Sequence, residues 1–193
     1  MIATEREHKY EHLLYLLDSD VYQRVMVFVN TKDMTQRLCK RLKDAGYPAD
    51  CLHGDMRQSA RNEVMQAYRK GKFQILLATD VAARGIDVDD VEAVINYDLP
   101  EVPETYVHRI GRTGRAGYEG TAWSFCSEDE FDYLKDIQKL TGLTIPVEGP
   151  VPEFAARQSA APARKSARKS SPKPARSTEQ QAAPKPVRNA EPK

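Results

Sequence analysis

The sequence has 193 residues, 40% of them hydrophobic and 30% charged, which suffices for one α/β domain of ordinary size and an additional segment. No apolar run approaches the roughly 18 residues of a membrane span, and the N-terminus lacks the charged-then-apolar pattern of a signal peptide. Cys39, Cys51 and Cys126 are scattered and form no CxxC motif. This argues against a disulfide scaffold or a zinc site and favours a reducing, cytoplasmic location.

The net charge of +1 conceals two segments of opposite charge. Residues 1–148 contain nineteen basic and twenty-five acidic residues, whereas residues 149–193 contain ten basic and three acidic ones. The second segment is rich in Ala, Pro, Lys, Arg, Ser and Gln and has no apolar periodicity, so it cannot bury enough surface to offset the entropy of ordering. The sequence therefore predicts a folded acidic domain over 1–148 and a disordered basic tail over 149–193.

Strand and helix patterns alternate along the predicted domain. Apolar runs typical of strands that are buried on both faces of a parallel sheet occupy residues 25–29, 74–78 and 93–97. Further strands are predicted over residues 49–52 and 121–125. Helices are predicted over residues 5–17, 34–45, 59–70, 103 to about 111, and 128–140. This alternation indicates an open, mostly parallel sheet with helices on both faces.

Polar residues follow the predicted strands, and the carboxyl ends of parallel strands meet at one edge of the sheet, where ligands gather. We expect the following residues to meet there: Asn30, Thr31, His53, Gly54, Asp55, Thr79, Asp80, Asp87 and Asp98. Asp80 is also expected to cap the short turn at residues 81–84. His53 is interpreted as a structural histidine, because the sequence offers no metal-ligand constellation for it to join.

The densest feature is the basic stretch at residues 108–117, His-Arg-Ile-Gly-Arg-Thr-Gly-Arg-Ala-Gly. Arginine presents a planar fork that suits phosphate oxygens, and glycine allows another body to approach closely. A solvated basic turn is the alternative, which the interleaved glycines and the preceding histidine disfavour. The chain has neither a GxxxxGK[ST] phosphate loop nor an Asp-Glu-Ala-Asp sequence. Arginines without a phosphate cradle indicate half of a nucleotide site, whose arginines would act on a γ-phosphate held elsewhere.

Four stretches, in order, resemble motifs IV, IVa, V and VI of the DEAD-box RNA helicases, a family of helicase superfamily 2. They are residues 27–32 (Val-Phe-Val-Asn-Thr-Lys), 53–61 (His-Gly-Asp-Met-Arg-Gln-Ser-Ala-Arg), 79–87 (Thr-Asp-Val-Ala-Ala-Arg-Gly-Ile-Asp) and 106–115 (Tyr-Val-His-Arg-Ile-Gly-Arg-Thr-Gly-Arg). The resemblance covers residues 20 to 145 and implies a C-terminal RecA-like domain. The basic tail and the last two motifs resemble bacterial RhlE- and RhlB-type members.

The resemblance implies a role for each matching residue. Arg112 and Arg115 would be arginine fingers that complete an ATP site across a cleft, and Asp87 would hydrogen-bond the ATP ribose. Coupling to a second domain is implied for His108, Asp80 and Arg84. Contacts with the sugar-phosphate backbone of single-stranded RNA are implied for Thr31, Gly54, Arg61, Thr79 and Gly85.

The resemblance also implies ligands and partners. The expected ligands are ATP and RNA, and the N-terminal DEAD domain, which would hold Mg²⁺, is the expected protein partner, together with ribonucleoprotein or RNA-decay proteins. No metal site of its own and no membrane contact are expected. The chain is expected to be a fragment or a truncated product, and inactive as an ATPase by itself.

Two alternatives remain open. The chain could be a standalone RNA-binding or protein-docking module that has lost its motor half, but a pure binding module has no use for Arg112 and Arg115. It could also be half of a DNA helicase, but His108 favours RNA, because many DNA-directed relatives have glutamine at the comparable position.

Overall fold

The computed structural model of the chain describes residues 1–19, 22–84, 88, 91–114 and 120–148. Its strands are β1 (Ile2–Ala3), β2 (Val25–Phe28), β3 (Ala49–Leu52), β4 (Ile75–Ala78), β5 (Ala93–Asn96) and β6 (Thr121–Cys126). Its α-helices are α1 (Lys9–Ser19), α2 (Lys32–Asp44), α3 (Gln58–Arg69), α4 (Asp80–Ala83), α5 (Pro103–Ile110) and α6 (Phe131–Thr141). Short 3₁₀ helices at Arg6–His8 and Glu128–Glu130 precede α1 and α6. The predicted tail at residues 149–193 lies outside the described residues.

Within the described part of the chain, the six strands form one sheet in the order β1-β6-β5-β2-β4-β3, and every neighbouring pair is parallel. The central strand β2 aligns its last residue, Phe28, with Ala78 of β4 and Asn96 of β5. The predicted α/β architecture with a parallel sheet is confirmed. Because the central strands end in register, the residues that follow them emerge side by side.

Alternate residues of β2 face opposite layers of helices, as the period of two in a strand requires. Val25 and Val27 pack in the same core cluster as the apolar sides of α1 and α2. Met26 and Phe28 pack on the other face with α3 and α4. Both clusters consist of buried side chains, which explains why this strand is continuously apolar.

The edge strand β1 is absent from the sequence-based prediction. Ile2 and Ala3 pair with Phe125 and Cys126 of β6, more than 120 residues away in sequence. A two-residue strand is too short to show periodicity, and it forms here through pairing with a distant strand. The chain returns to it after α6, where the Glu148 N–H donates to the Met1 carbonyl at 2.7 Å.

Four of the five predicted helix starts differ from the structure, and local capping chemistry explains two of these differences. Helix α2 begins at Lys32, two residues early, because Thr31 Oγ1 accepts the Met34 N–H at 3.2 Å. The predicted helix at 128–140 opens as a 3₁₀ turn in which Ser127 and Glu130 form a capping box. No helix in the described ranges is both long and apolar enough to cross a membrane.

Candidate functional site

Of the residues expected at the carboxyl edge of the sheet, Asn30, Asp80 and Asp98 are brought together there, whereas Asp87 lies outside the described residues. Asp98, after β5, accepts the backbone N–H of Asn30, after β2, at 3.1 Å. The Asn30 side chain also donates to the Leu99 carbonyl at 2.8 Å. The backbone N–H of Thr79, after β4, donates to the carbonyl of Leu52, the last residue of β3, at 3.3 Å.

Arg109 of α5 organises this edge, although it is only 1% exposed. Its Nε and Nη2 donate to the two carboxylate oxygens of Asp80, each at 2.7 Å. Its other donors reach Asn30 Oδ1 at 2.8 Å, the Asp98 carbonyl at 2.7 Å and Asn96 Oδ1 at 3.3 Å. A fork of five N–H donors is what makes arginine able to join three strand ends at once.

The expectation that Asp80 caps the turn at 81–84 is wrong. Asp80 is the first residue of α4, and Thr79 occupies the N-cap position. The Asp80 carboxylate pairs with Arg109 instead. A bidentate charge-assisted pair with a buried guanidinium is a stronger interaction than a cap on a single helical turn, so the pair determines where the carboxylate points.

The sequence did not identify Arg109 as the central residue, although a signal for it exists. Arg109 lies three residues after the buried Tyr106, and residues at that spacing share a helix face. That spacing places Arg109 on the buried face of α5 rather than in solvent.

A second buried charge was also missed. Lys9 Nζ lies 2.7 Å from Glu130 Oε2 and 3.3 Å from Asp98 Oδ1, and the Lys9 side chain is 1% exposed. The ion pair between Lys9 and Asp98 links α1 to the hydrogen-bonded residues at the carboxyl edge of the sheet. Lys9 follows a charged stretch in the sequence, and nothing in its local pattern marks it as buried.

A cavity of about 80 Å³ opens beside the Arg109–Asp80 pair. It is lined by Phe28, Asp80, Ala83, Arg84, Thr105, His108, Arg109 and Arg112. Four of these, Asp80, Arg84, His108 and Arg112, are residues that the sequence proposed for ATP binding or interdomain coupling. Arg84 and Arg112 add two guanidinium groups to the wall of this cavity beside Arg109, and guanidinium groups suit an anionic ligand such as phosphate.

A larger cavity of about 340 Å³ lies beside α3. It is lined by Leu52, Gln58, Arg61, Asn62, Met65, Arg69 and Arg84. Within the described ranges its wall has three arginines and no carboxylate, which favours phosphate-bearing ligands. Arg61 Nη2 donates to the Ala82 carbonyl at 2.9 Å, which orients one guanidinium in this wall. Arg84 lines both cavities.

The other described residues that were predicted to contact RNA, Thr31, Gly54 and Thr79, follow strands at the same edge but line neither cavity. Thr31 is exposed and caps α2. Gly54 is exposed, and a Cβ added there would meet no atom within 4 Å, so the described fold itself does not require glycine at this position. Thr79 is 8% exposed beneath α4. Gly85, Asp87 and Arg115 lie outside the described residues.

His53 has one satisfied ring nitrogen. Its Nε2 lies 2.8 Å from Gln36 Nε2, which can only donate, so Nε2 accepts and the proton of a neutral ring is on Nδ1. Nδ1 is buried and has no hydrogen-bond partner among the described residues. The interpretation of His53 as a structural histidine therefore accounts for the contact at Nε2 but not for the buried Nδ1.

Two groups of His, Cys, Asp or Glu side chains lie close enough together among the described residues that each could hold a metal ion. One is Cys39, Asp50 and Cys51, and the other is the exposed set Glu5, Glu7 and His8. Neither group lines the cavities described above. The sequence did not predict that Cys39 and Cys51 lie together.

A parallel sheet with arginine-lined cavities at its carboxyl edge is typical of an α/β domain that binds phosphate-bearing ligands. The family "Helicase conserved C-terminal domain" matches residues 8–117. The chain is 43% identical to the ATP-dependent RNA helicase DbpA of Bacillus subtilis over 159 residues, which is 82% of this chain and 33% of that protein. It is 46% identical to the ATP-dependent RNA helicase RhlB of Pseudomonas syringae over 142 residues, covering 74% of this chain and 36% of that one.

Solved structures agree with this assignment. Escherichia coli DEAD-box protein SrmB, bound to the regulator of ribonuclease activity A, superimposes with a TM-score of 0.73 at 37% identity, covering 77% of this chain and 88% of that chain. A DEAD-box protein of Methanococcus jannaschii gives 0.72 at 41% identity, covering 77% of this chain and 40% of that one. The chain belongs to the DEAD-box helicase family and contains its C-terminal RecA-like domain. It spans about a third of the length of the two curated relatives.

Proposed function

We propose that this chain is the C-terminal half of an ATP-dependent RNA helicase. It supplies arginines to an ATP site and backbone contacts to RNA, while an N-terminal DEAD domain supplies the phosphate loop and the residues that hold Mg²⁺. The observation that carries the proposal is the basic cavity where Arg84, His108 and Arg112 face the Arg109–Asp80 pair.

At the ATP site, Arg112 and Arg115 stabilise the charge of the γ-phosphate, and Asp87 accepts a hydrogen bond from the ribose. ATP supplies the phosphoryl group whose transfer to water drives the cycle. Positioned guanidinium groups act on such a reaction electrostatically, without entering the chemistry themselves. The half-buried position of Arg112 in the cavity supports this role, since a partly desolvated guanidinium interacts more strongly than one in open solvent.

RNA is bound along the carboxyl edge by contacts to its sugar-phosphate backbone. The basic wall with Arg61 and Arg84 supports this, together with the open space beside Gly54. Backbone contacts carry no base information, so binding is tolerant of sequence. Closing of the two domains on one strand bends that strand and unpairs a short duplex locally.

The second candidate is a standalone RNA-binding or protein-docking module. The SrmB structure, in which a protein regulator is bound, favours docking as a role for a domain of this fold. A docking module, however, has no need of the arginine-lined cavity beside Asp80. RNA-stimulated ATP hydrolysis separates the two candidates.

The purified chain alone should show no RNA-stimulated ATPase activity, because its sequence contains no GxxxxGK[ST] loop to hold phosphates. Mixing it with a separately purified DEAD domain that has this loop should restore RNA-stimulated phosphate release. The control is the same mixture with Arg112→Ala. Robust turnover by the chain alone would contradict the two-domain mechanism. Equal phosphate release by the mixtures with and without Arg112→Ala would favour the docking module.

A further inference from the structure

Two cysteines that are twelve residues apart face each other between α2 and the edge strand β3. Cys39 lies in the middle of α2, and Cys51 is the third residue of β3. Their sulfur atoms and one carboxylate oxygen of Asp50 all lie within 4.8 Å of one another. Cys39 is 3% exposed, whereas Cys51 is only partly buried. Solvent therefore reaches the pair from the Cys51 side.

The surroundings of the pair favour a thiolate on Cys51. The neighbouring Cys39 thiol lowers the pKa of Cys51, and the nearby Lys43 ammonium acts in the same direction, against burial and the Asp50 charge. The pKa of Cys39 is raised, because Cys51 lies beside it and Cys39 is buried. Lys43 is held in place by Asp50, whose Oδ1 lies 2.9 Å from the Lys43 Nζ.

An oxidation-sensitive cysteine combines thiolate character, solvent access and a neighbouring thiol that can resolve the first oxidation product. Cys51 meets these three conditions, and Cys39 is the neighbouring thiol. The third cysteine meets none of them. Cys126 is 1% exposed, and burial together with the Glu130 charge raises its pKa to about 12.

We propose that Cys51 and Cys39 form a hydroperoxide-sensitive thiol pair. The Cys51 thiolate attacks one oxygen of the hydroperoxide, the O–O bond breaks, and the leaving oxygen takes up a proton, which gives Cys51 sulfenic acid and one water or alcohol. Cys39 sulfur then attacks the Cys51 sulfur, the S–O bond breaks, and the hydroxyl leaves as water with the Cys39 proton. The two cysteines lose two electrons in total, and the hydroperoxide gains them.

The product is a disulfide that joins α2 to β3. Helix α2 follows Asn30 and strand β3 precedes His53, so both joined elements border the carboxyl edge of the sheet. Thiols restore the dithiol by exchange, so the modification is reversible. The thiol pair is separate from the residues proposed for the ATP site, because neither cysteine lines the cavities.

The test is oxidation of the full chain with hydrogen peroxide, followed by intact mass and peptide mapping under non-reducing conditions. The expected result is a loss of two hydrogens, a peptide pair linked through Cys39 and Cys51, and complete reversal by dithiothreitol. Cys126 is the internal control, and alkylation of Cys51 at neutral pH should be at least about tenfold faster than that of Cys126.

Single substitutions assign the two roles. In Cys39→Ser, Cys51 should stop at sulfenic acid and be trapped by dimedone, whereas Cys51→Ser should leave Cys39 reduced under the same treatment. Lys43→Gln should slow alkylation of Cys51 by about threefold or more, because it removes the nearby positive charge. Lys40→Gln is the matched control on the exposed side of the same helix and should leave the rate unchanged.

Three results would overturn the proposal. They are disulfide-linked dimers without the internal link, oxidation of Cys126 as fast as that of Cys51, and no change in mass at peroxide levels that oxidise free glutathione. Stoichiometric zinc in the purified chain, released on alkylation of the two cysteines, would also overturn it and assign the cluster to a metal.

Discussion

Arginines 109 and 112 lie three residues apart in one basic stretch and have different environments. Arg109 is buried and forms five hydrogen bonds with described residues. Arg112 follows the end of α5 and lines the cavity. Arg109 lies within α5 and is buried together with Tyr106, three residues earlier on the same helix face. Arg112 lies beyond Ile110, the last residue of α5, and is only partly buried. Burial therefore separates a structural arginine from one that can meet a ligand.

Arg109→Ala should destabilise the domain by about 3–5 kcal/mol, because it leaves the Asp80 carboxylate without its partner in a largely buried site. Arg109→Lys should recover only part of this loss, since an ammonium cannot bond both carboxylate oxygens and two amides at once. Urea unfolding followed by circular dichroism measures the effect. The control is Arg37→Ala on the exposed face of α2, which should change stability by less than about 0.5 kcal/mol. A similarly small loss for Arg109→Ala would show that the buried network does not stabilise the fold.

Arg112→Ala or Arg115→Ala, placed in a helicase that contains both domains, should lower ATP hydrolysis at least about 10³-fold, the lower end of the effect of removing an arginine finger. RNA binding without nucleotide should change little, because the γ-phosphate contact is then not made. Steady-state phosphate release and RNA affinity by fluorescence anisotropy measure the two effects. Hydrolysis that survives both substitutions would leave these arginines with structural roles only.

At the scale of elements, the parts of the chain that were predicted correctly owe their structure to local sequence. The strands at 25–28 and 75–78 are buried apolar runs, and α5 begins at Pro103, where proline is tolerated. What the sequence could not reveal depends on contacts between distant residues: β1 forms only against β6, and Lys9 and Arg109 are buried only because carboxylates from other elements meet them. The meeting of Cys39 with Cys51 is likewise a result of packing between α2 and β3.

The pairing of β1 with β6 can be tested by removing one backbone donor. The Thr4 N–H donates to the Cys126 carbonyl at 3.0 Å, and both residues are buried. Thr4→Pro should cost about 1–3 kcal/mol, because it leaves that carbonyl unsatisfied. Hydrogen exchange should also accelerate at Glu148, whose N–H depends on the adjacent Met1 carbonyl.

Glu5→Pro is the matched control, since Glu5 already has a φ of −73°, which suits proline. Its stability should stay within about 0.5 kcal/mol of the parent. Equal losses for the two proline variants would mean that the hydrogen bond from Thr4 contributes nothing beyond general disturbance of the N-terminus.

At the scale of the whole chain, the separation of charge predicts where RNA is attracted. Residues 1–148 have an excess of six acidic residues, and residues 149–193 have an excess of seven basic ones. We expect long-range attraction of RNA to come mostly from the basic segment, because extended cations neutralise phosphates without fixed geometry. The alternative is a segment that serves solubility or protein docking.

A chain cut after Gly149 should bind RNA clearly more weakly at low salt and almost equally at high salt. For every phosphate that the shortened chain no longer neutralises, the slope of log affinity against log salt should become shallower by about 0.7 for single strands. Folding should be unaffected, because the shortened chain keeps Glu148, whose N–H donates to the Met1 carbonyl. RNA affinity of both chains over a salt series is the measurement. Equal affinities with equal slopes would assign the basic segment to docking or solubility.

The network around Arg109 also limits how the domain can move. Its bonds fix α5 to the ends of β2, β4 and β5 through Asn30, Asp80 and Asn96, so sliding α5 by even one ångström would break several of them together. His108 and Arg112 flank Arg109 along the chain and are carried with it. The wall of the cavity that α5 contributes is therefore held rigidly against the sheet edge, so that His108 and Arg112 keep a fixed distance from Asp80 as long as these bonds persist.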